Sequence, residues 1–262
     1  SMTTINNQQA PIYVETKAQA NLTQKSQFKN AEHIGTMLLQ ILLICINLFT
    51  FVVLDLPGLS LAGIIISSVL YAYFFSNYLF AWIMTVKVKS YLPLDHNFEQ
   101  STYCEKCKCY RPEKTHHCSI CDRCILDFDH HCPWMLNCVG KYNHCYFVKY
   151  NFCLSATILI QIFTCLGAGL QHTFGLVFHL FNKEFQLLYW MIFGILMAIN
   201  MFGTAALGMA FSHLQLACTG VKTFDLQVGR IERARGCSKE NLDQVFGGQF
   251  WKCMLWFWIV KL

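Results

Sequence analysis

Between Cys104 and Cys138 the chain gathers cysteines and histidines at spacings that suit metal and thiol chemistry. Cys104-x2-Cys107 and Cys118-x2-Cys121-x2-Cys124 are thiolate knuckle spacings, and His117, His131 and Cys138 complete the supply. Structural zinc takes four sulfur or imidazole ligands in a tetrahedron, so these six cysteines and two histidines suffice for two Cys3His sites. A stretch with so few aliphatic residues needs such staples in place of a core. Cys132, His130, His116 and Cys109 are then left over. Cys132 follows His130 closely and lies three residues after Asp129, and Pro133-Trp134 fixes the chain beyond it. A thiol near an imidazole that is itself held by a carboxylate is an activated nucleophile. The imidazole takes the thiol proton, while the carboxylate selects its tautomer and stabilises the imidazolium. Spacing alone leaves a second assignment open. In it Cys132 is a ligand, Cys138 or Cys124 is free, and the segment is a structural zinc module of the binding or ubiquitin-ligase adaptor kind.

The elements that must carry this segment are apolar. Of 262 residues, 55% are hydrophobic and only 13% charged, against about 25% charged in a soluble domain. Four stretches, 34–54, 59–86, 147–170 and 185–211, are long and apolar enough to cross a bilayer. Asp55-Leu56-Pro57-Gly58 breaks the first pair into an antiparallel hairpin. Lysine and arginine set the orientation. Lys17, Lys25 and Lys29 precede span one; Lys87, Lys89 and others up to Lys141 fill the middle connection; Lys222, Arg230, Arg233, Arg235 and Lys239 follow span four. The opposite side holds only Lys183. The positive-inside rule then places both termini and the middle connection in the cytosol. Fifteen cysteines, many of them in the His-rich cluster, fit a reducing compartment better than a disulfide framework. Residues 1–33 are polar and do not read as a signal peptide, and Ser1 before Met2 reads as a tag remnant. The expected fold is thus an all-α integral membrane protein. It is a four-helix bundle with a cytosolic cysteine-rich two-zinc domain, residues 87–146, between spans two and three. The N-terminal segment is 1–33, the span pairs are 34–86 and 147–211, and the C-terminal segment is 212–262. Phe250 to Leu262, with Trp251, Trp256 and Trp258, reads as an interfacial helix. Asn47, Asn77, Gln161 and Asn200 lie within the spans and are expected to bond between helices. A transporter would want charge at mid-membrane, and none stands clearly there.

Asp129-His130-His131-Cys132-Pro133-Trp134, followed by Asn137-Cys138-Val139-Gly140 and Asn143, resembles the DHHC-type protein S-palmitoyltransferases. The upstream Cys104-x2-Cys107 and His116-His117-Cys118-x2-Cys121-x2-Cys124 fit the same family's cysteine-rich domain. The resemblance implies one zinc on Cys104, Cys107, His117 and Cys124, and a second on Cys118, Cys121, His131 and Cys138. It implies Cys132 as nucleophile, His130 as base and Asp129 as the group that orients it. The implied reaction moves a long-chain acyl group from acyl-CoA, palmitoyl-CoA above all, through acyl-Cys132 to cysteines of membrane-associated proteins. The chain departs from the family's Thr-Thr-x-Glu motif, with Lys222-Thr223-Phe224-Asp225 in its place. Asn241-x3-Val245-Phe246-Gly247 is similar to a C-terminal family motif of structural role. Trp134, Lys114, Arg111, Arg123 and Arg230 are candidates for contact with acyl-CoA. Thr157 is the candidate for the end of the acyl cavity, where family members read chain length. The expected partners are the bilayer, acyl-CoA and protein thiols, with no nucleic acid. The expected location is the endomembrane system, Golgi or ER, or the plasma membrane.

Overall fold

The computed structural model describes residues 31–56, 59–93, 102–167, 186–229, 237–248, 250 and 253. Helix α1, Ala31–Thr50, runs on through a π-helical turn at Phe51–Asp55. Ser60 caps α2, Leu61–Lys87, by accepting from the Gly63 N–H at 3.3 Å. Helix α3 spans His144–Gly167 and α4 spans Gln186–Thr219. Two short helices follow, α5 at Thr223–Gln227 and α6 at Lys239–Phe246. Among the described residues, three helical stretches are long and apolar enough to cross a membrane: Ile34–Val53, Leu61–Lys87 and His144–Thr164. Their outward faces carry large bare apolar side chains such as Phe49, Val69 and Phe163, a surface suited to lipid rather than water. Helix α4, at 34 residues, is about 50 Å long. The expected N-terminal segment, Arg230, the Lys183 loop and the tryptophan-rich end lie outside the described residues, as does the side chain of Asn200.

The helical expectation holds for the three membrane-length stretches and for α4 as a helix, but not for the cysteine-rich segment, which forms three two-stranded antiparallel hairpins. These are β1–β2 (Thr102–Cys104, Cys109–Arg111), β3–β4 (His116–Cys118, Arg123–Ile125) and β5–β6 (His130–Cys132, Asn137–Val139). The reason is local. A Cys-x2-Cys knuckle aims two sulfurs at one point only if the chain reverses tightly, and here Lys108 and Asp122 take the left-handed conformation that closes each turn. Cys107 and Cys121 donate their N–H groups back to the sulfurs of Cys104 and Cys118, both at 3.5 Å.

Two asparagines lock the hairpins to the second helix. The Asn137 amide donates to the Thr85 and Val88 carbonyls, each at 2.8 Å. The Asn143 amide donates to Val88 and Cys138, at 3.0 and 2.9 Å, while its oxygen accepts from the Gly140 N–H at 2.8 Å. The carbonyls left open at the end of a helix are thereby satisfied by side chains of the third hairpin and of the turn that follows it. Gly140 lies so close to Leu126 and Ser90 that a Cβ would sit 2.6 Å from the Leu126 carbonyl oxygen. Deeper in the bundle, Gly203 of α4 lets that helix approach Ile158 of α3, as small residues do between membrane helices. Asn47, expected to bond between helices, donates to Gln161 at 2.6 Å and accepts from Tyr71 at 2.5 Å. Gln161 also donates to Thr50. Asn77 bonds instead to the Tyr73 carbonyl of its own helix. Away from the cysteine cluster, the sulfurs of Cys218 and Cys237 meet between the end of α4 and the approach to α6. The sequence reading did not foresee this pair.

Candidate active site

The hairpins bring the eight sequence-derived ligands into two groups, Cys104–Cys107–His117–Cys124 and Cys118–Cys121–His131–Cys138. Within each group the donor atoms lie within 4.8 Å of one another. His117 Nδ1 stands 3.8 and 3.2 Å from the sulfurs of Cys104 and Cys107. His131 Nδ1 stands 3.7, 3.4 and 3.5 Å from those of Cys118, Cys121 and Cys138. Tetrahedral zinc with ordinary bond lengths needs nitrogen–sulfur edges of about 3.5 Å. Both donor sets fit such an ion.

The two groups are one pattern used twice. Each ligand of the second group stands fourteen residues after its counterpart: 104 to 118, 107 to 121, 117 to 131, and 124 to 138. A third step of the same length lands on Cys132, Met135, Cys145 and Phe152. Cys132 therefore occupies the first-ligand position of the third hairpin, and Leu136 repeats the left-handed turn residue. The rest of the set is missing. Met135 and Phe152 replace the other two thiols, and Cys145 is buried in α3 beside Cys253. Cys132 has the placement of a ligand with no site to join. This fourteen-residue period was legible in the sequence and is the signal that frees Cys132 without appeal to resemblance.

Asp129 is fully buried ahead of β5. Its Oδ2 lies 2.8 Å from His130 Nδ1. Thr223, at the start of α5, donates its N–H to Oδ1 at 3.0 Å and its hydroxyl to Oδ2 at 2.9 Å. Burial alone favours the neutral acid, but the His130 hydrogen bond and the nearby His144 and His213 hold its pKa well below the usual carboxylate range. Burial likewise opposes the His130 imidazolium. The Asp129 carboxylate and the Cys132 side chain outweigh it and push the His130 pKa up to about 9. His130 is thus held by Asp129, and Cys132, two residues further along β5, lines the same cavity as His130. His213, on α4, brings Nδ1 to 3.6 Å from Asp129 Oδ2. Nothing in the sequence marked this histidine out.

Cys132 heads a cavity of about 450 Å³ that runs down between the helices, within the size range of small-molecule sites, about 300–1,000 Å³. Trp134 and His130 line its head, and Asn47, Thr157 and Ile158 line its depth. Gln40 of α1 closes the side near Cys132. Its amide nitrogen donates to the Trp134 carbonyl at 2.9 Å, and its oxygen accepts from Tyr150 at 2.9 Å and Trp82 at 3.3 Å. The structure thus gathers Cys132, His130, Trp134 and Thr157 around one cavity. It does not bring Arg111, Lys114 or Arg123 to that lining. Arg111 bonds Thr102 at 3.1 Å, and the Arg123 guanidinium lies 5.1 Å from the centre of the Tyr91 ring.

The family model described as DHHC palmitoyltransferase matches residues 97–228, half of the chain. A 70-residue stretch is 46% identical to the palmitoyltransferase ERF2 of Eremothecium gossypii, covering 27% of this chain and 19% of that protein. A longer stretch of 142 residues is 32% identical to palmitoyltransferase ZDHHC8B of Danio rerio, covering 52% of this chain and 18% of the relative. Palmitoyltransferase ZDHHC7 of Rattus norvegicus is 47% identical over 68 residues, or 26% and 21% of the two chains. The matches span about a fifth of the length of these curated relatives. With the matched half holding both Cys/His groups and Cys132 itself, the chain belongs to the DHHC palmitoyltransferase family.

Proposed function

We propose that this protein is an S-acyltransferase that moves a long-chain acyl group from acyl-CoA through Cys132 to cysteines of membrane-associated proteins. One observation carries the reading. Cys132, two residues beyond the His130 that Asp129 holds, sits at the head of a cavity that runs between membrane helices. In the first half-reaction the Cys132 thiolate attacks the thioester carbonyl carbon. The carbon–sulfur bond to CoA breaks, and the departing CoA sulfur takes the proton held by His130. In the second, a protein thiol gives its proton to His130 and its sulfur attacks the acyl-Cys132 carbonyl, restoring the Cys132 thiol as its bond to the acyl group breaks. One thioester replaces another at each step, so position and proton transfer suffice.

The cavity takes the acyl tail, past Thr157 towards Asn47. Two zinc ions, one in each Cys3His group, would hold the three hairpins and so set Cys132 in place. The topology that serves this chemistry is four spans, with both termini and the cysteine-rich domain on the cytosolic side of an endomembrane, where CoA is available. Arg111, Lys114, Arg123 and Arg230 then supply positive charge on that side for the CoA phosphates, while Trp134 stands beside the thioester. Incubation of the purified protein with palmitoyl-CoA should add one palmitoyl mass that hydroxylamine removes. A Cys132→Ser protein that gains the same hydroxylamine-sensitive mass would remove Cys132 from the reaction.

A further inference from the structure

We propose that Asp129, His130 and His213 form a third divalent-cation site that takes Zn2+ reversibly and halts acyl transfer while it is filled. The halting of transfer rests on the function proposed above; the site itself does not.

The three residues come from two separate segments, β5 with its leading residue and helix α4, and their donor atoms lie within 4.8 Å of one another. Oδ2 of Asp129 is 2.8 Å from His130 Nδ1 and 3.6 Å from His213 Nδ1. Tetrahedral zinc needs nitrogen–oxygen edges of about 3.3 Å, and the two contacts straddle that value. His213 is 7% exposed, and its Nδ1, turned towards the carboxylate, has no hydrogen-bond partner. A buried ring nitrogen left in this way is costly unless something binds it. Two imidazoles and one carboxylate are a borderline-hard donor set that suits zinc. Three protein ligands leave the fourth position to solvent, so the ion is held by fewer protein donors than in the closed Cys3His groups. His130 and His213 both line the Cys132 cavity, which supplies the open side.

Occupancy has a chemical consequence. A cation held by His130 Nδ1 displaces the proton from that atom to solvent and leaves the ring's remaining proton on Nε2. His130 then has no lone pair free to accept a thiol proton, and Asp129 is occupied as a ligand.

The test is metal stoichiometry on the full chain in detergent or nanodiscs, with Zn2+ delivered from a competing chelator. Wild type should hold two tight equivalents and a third, weaker one. His213→Ala and His213→Phe should keep the first two and lose the third. A wild type that stops at two equivalents overturns the site, as does a third equivalent that persists in either folded variant. A measurement free of His213 variants uses Cys132→Ser protein holding two zinc and one cobalt. X-ray absorption at the cobalt edge should show nitrogen and oxygen at about 2.0–2.2 Å, and sulfur neighbours overturn the assignment. Filling the third site should slow acyl transfer by about 10²-fold or more, and mild chelation should restore it; unchanged transfer overturns the inhibition. A protein that transfers no acyl group even with two equivalents would refute the functional reading instead, and the stoichiometry would still decide the site.

Discussion

Thr223 donates both its backbone N–H and its hydroxyl to the carboxylate of Asp129, at 3.0 and 2.9 Å, across 94 residues of chain. Of the Lys222-Thr223-Phe224-Asp225 segment, the threonine that remains is the one that touches the Asp129–His130 pair. Phe224, next to it, packs at a tilt against His116 at 4.1 Å between ring centres and so pins α5 to the second hairpin. The segment after α4 is thus tied directly to the carboxylate that His130 meets.

Thr223→Val should keep the N–H contact and the shape but lose the hydroxyl. A hydrogen bond to a charged group is worth about 1.5–3 kcal/mol, so acyl transfer should slow by about 10- to 100-fold with metal content unchanged. Single-turnover transfer beside zinc analysis checks this. A rate equal to wild type would show that the backbone N–H alone holds Asp129.

The eight Cys/His donors predict about two zinc per chain. Cys118→Ala should lose metal and fold together, because the second and third hairpins share its group through His131 and Cys138. Cys132→Ser should keep both. Equal metal loss in the two proteins would mean that Cys132 is a ligand after all.

Much of this was legible in the residues, and the reason differs from element to element. The three membrane-length helices were readable because twenty apolar residues have few other uses, and the Cys/His partition followed from the family pattern around Asp129–Cys132. The hairpins were not foreseen, since strands of three residues carry no period; the left-handed turn at Lys108 falls on a residue that seldom adopts it, and a lone aspartate such as Asp122, though tolerant of that region, marks no hairpin by itself. His213 was invisible for a different reason. A histidine at the end of an apolar run gains meaning only once α4 is packed against β5, a contact with no local signature. The same holds for Gln40, whose three partners come from α2, α3 and the turn after β5.

His130→Ala should retain zinc, because His130 belongs to neither Cys3His group. It should slow both acylation and transfer by about 10²–10⁴, the range for loss of a general base. Rates over pH 6–8 that match wild type would remove His130 from the mechanism.

Gly140→Ala tests the coupling of the third hairpin to α2. Its new methyl would meet the Leu126 carbonyl oxygen at 2.6 Å and the Ser90 Cβ at 2.9 Å. Backbone cannot yield there without straining the Asn143 contacts to Val88 and Cys138. Overpacking of this kind costs about 1–3 kcal/mol, read as a lower thermal midpoint with two zinc still bound. A midpoint within error of wild type would show the hairpin to be looser on α2 than these contacts require.

The last prediction concerns which acyl chains fit. Thr157 lines the cavity on α3 and is 1% exposed, its hydroxyl turned back to the Cys153 and Leu154 carbonyls at 3.0 and 2.7 Å. It therefore presents a small methyl-sized surface and needs no partner from the tail. Beyond it the cavity reaches Asn47, whose amide is already committed to Gln161 and Tyr71. A methyl terminus pressed against those groups would gain nothing and would disturb a buried polar network. The tail should thus run past Thr157 and stop at Asn47, so chains of sixteen carbons or slightly more should be accepted. Thr157→Phe fills the passage above that floor and should shift preference towards shorter acyl-CoA. Competition between C14, C16 and C18 acyl-CoA, read as acylation of each folded and active variant, measures the shift. Ratios that stay the same in Thr157→Phe would mean that the tail does not pass this residue, and that small side chains at Ser155, Ala156 and Thr157 serve only close helix packing.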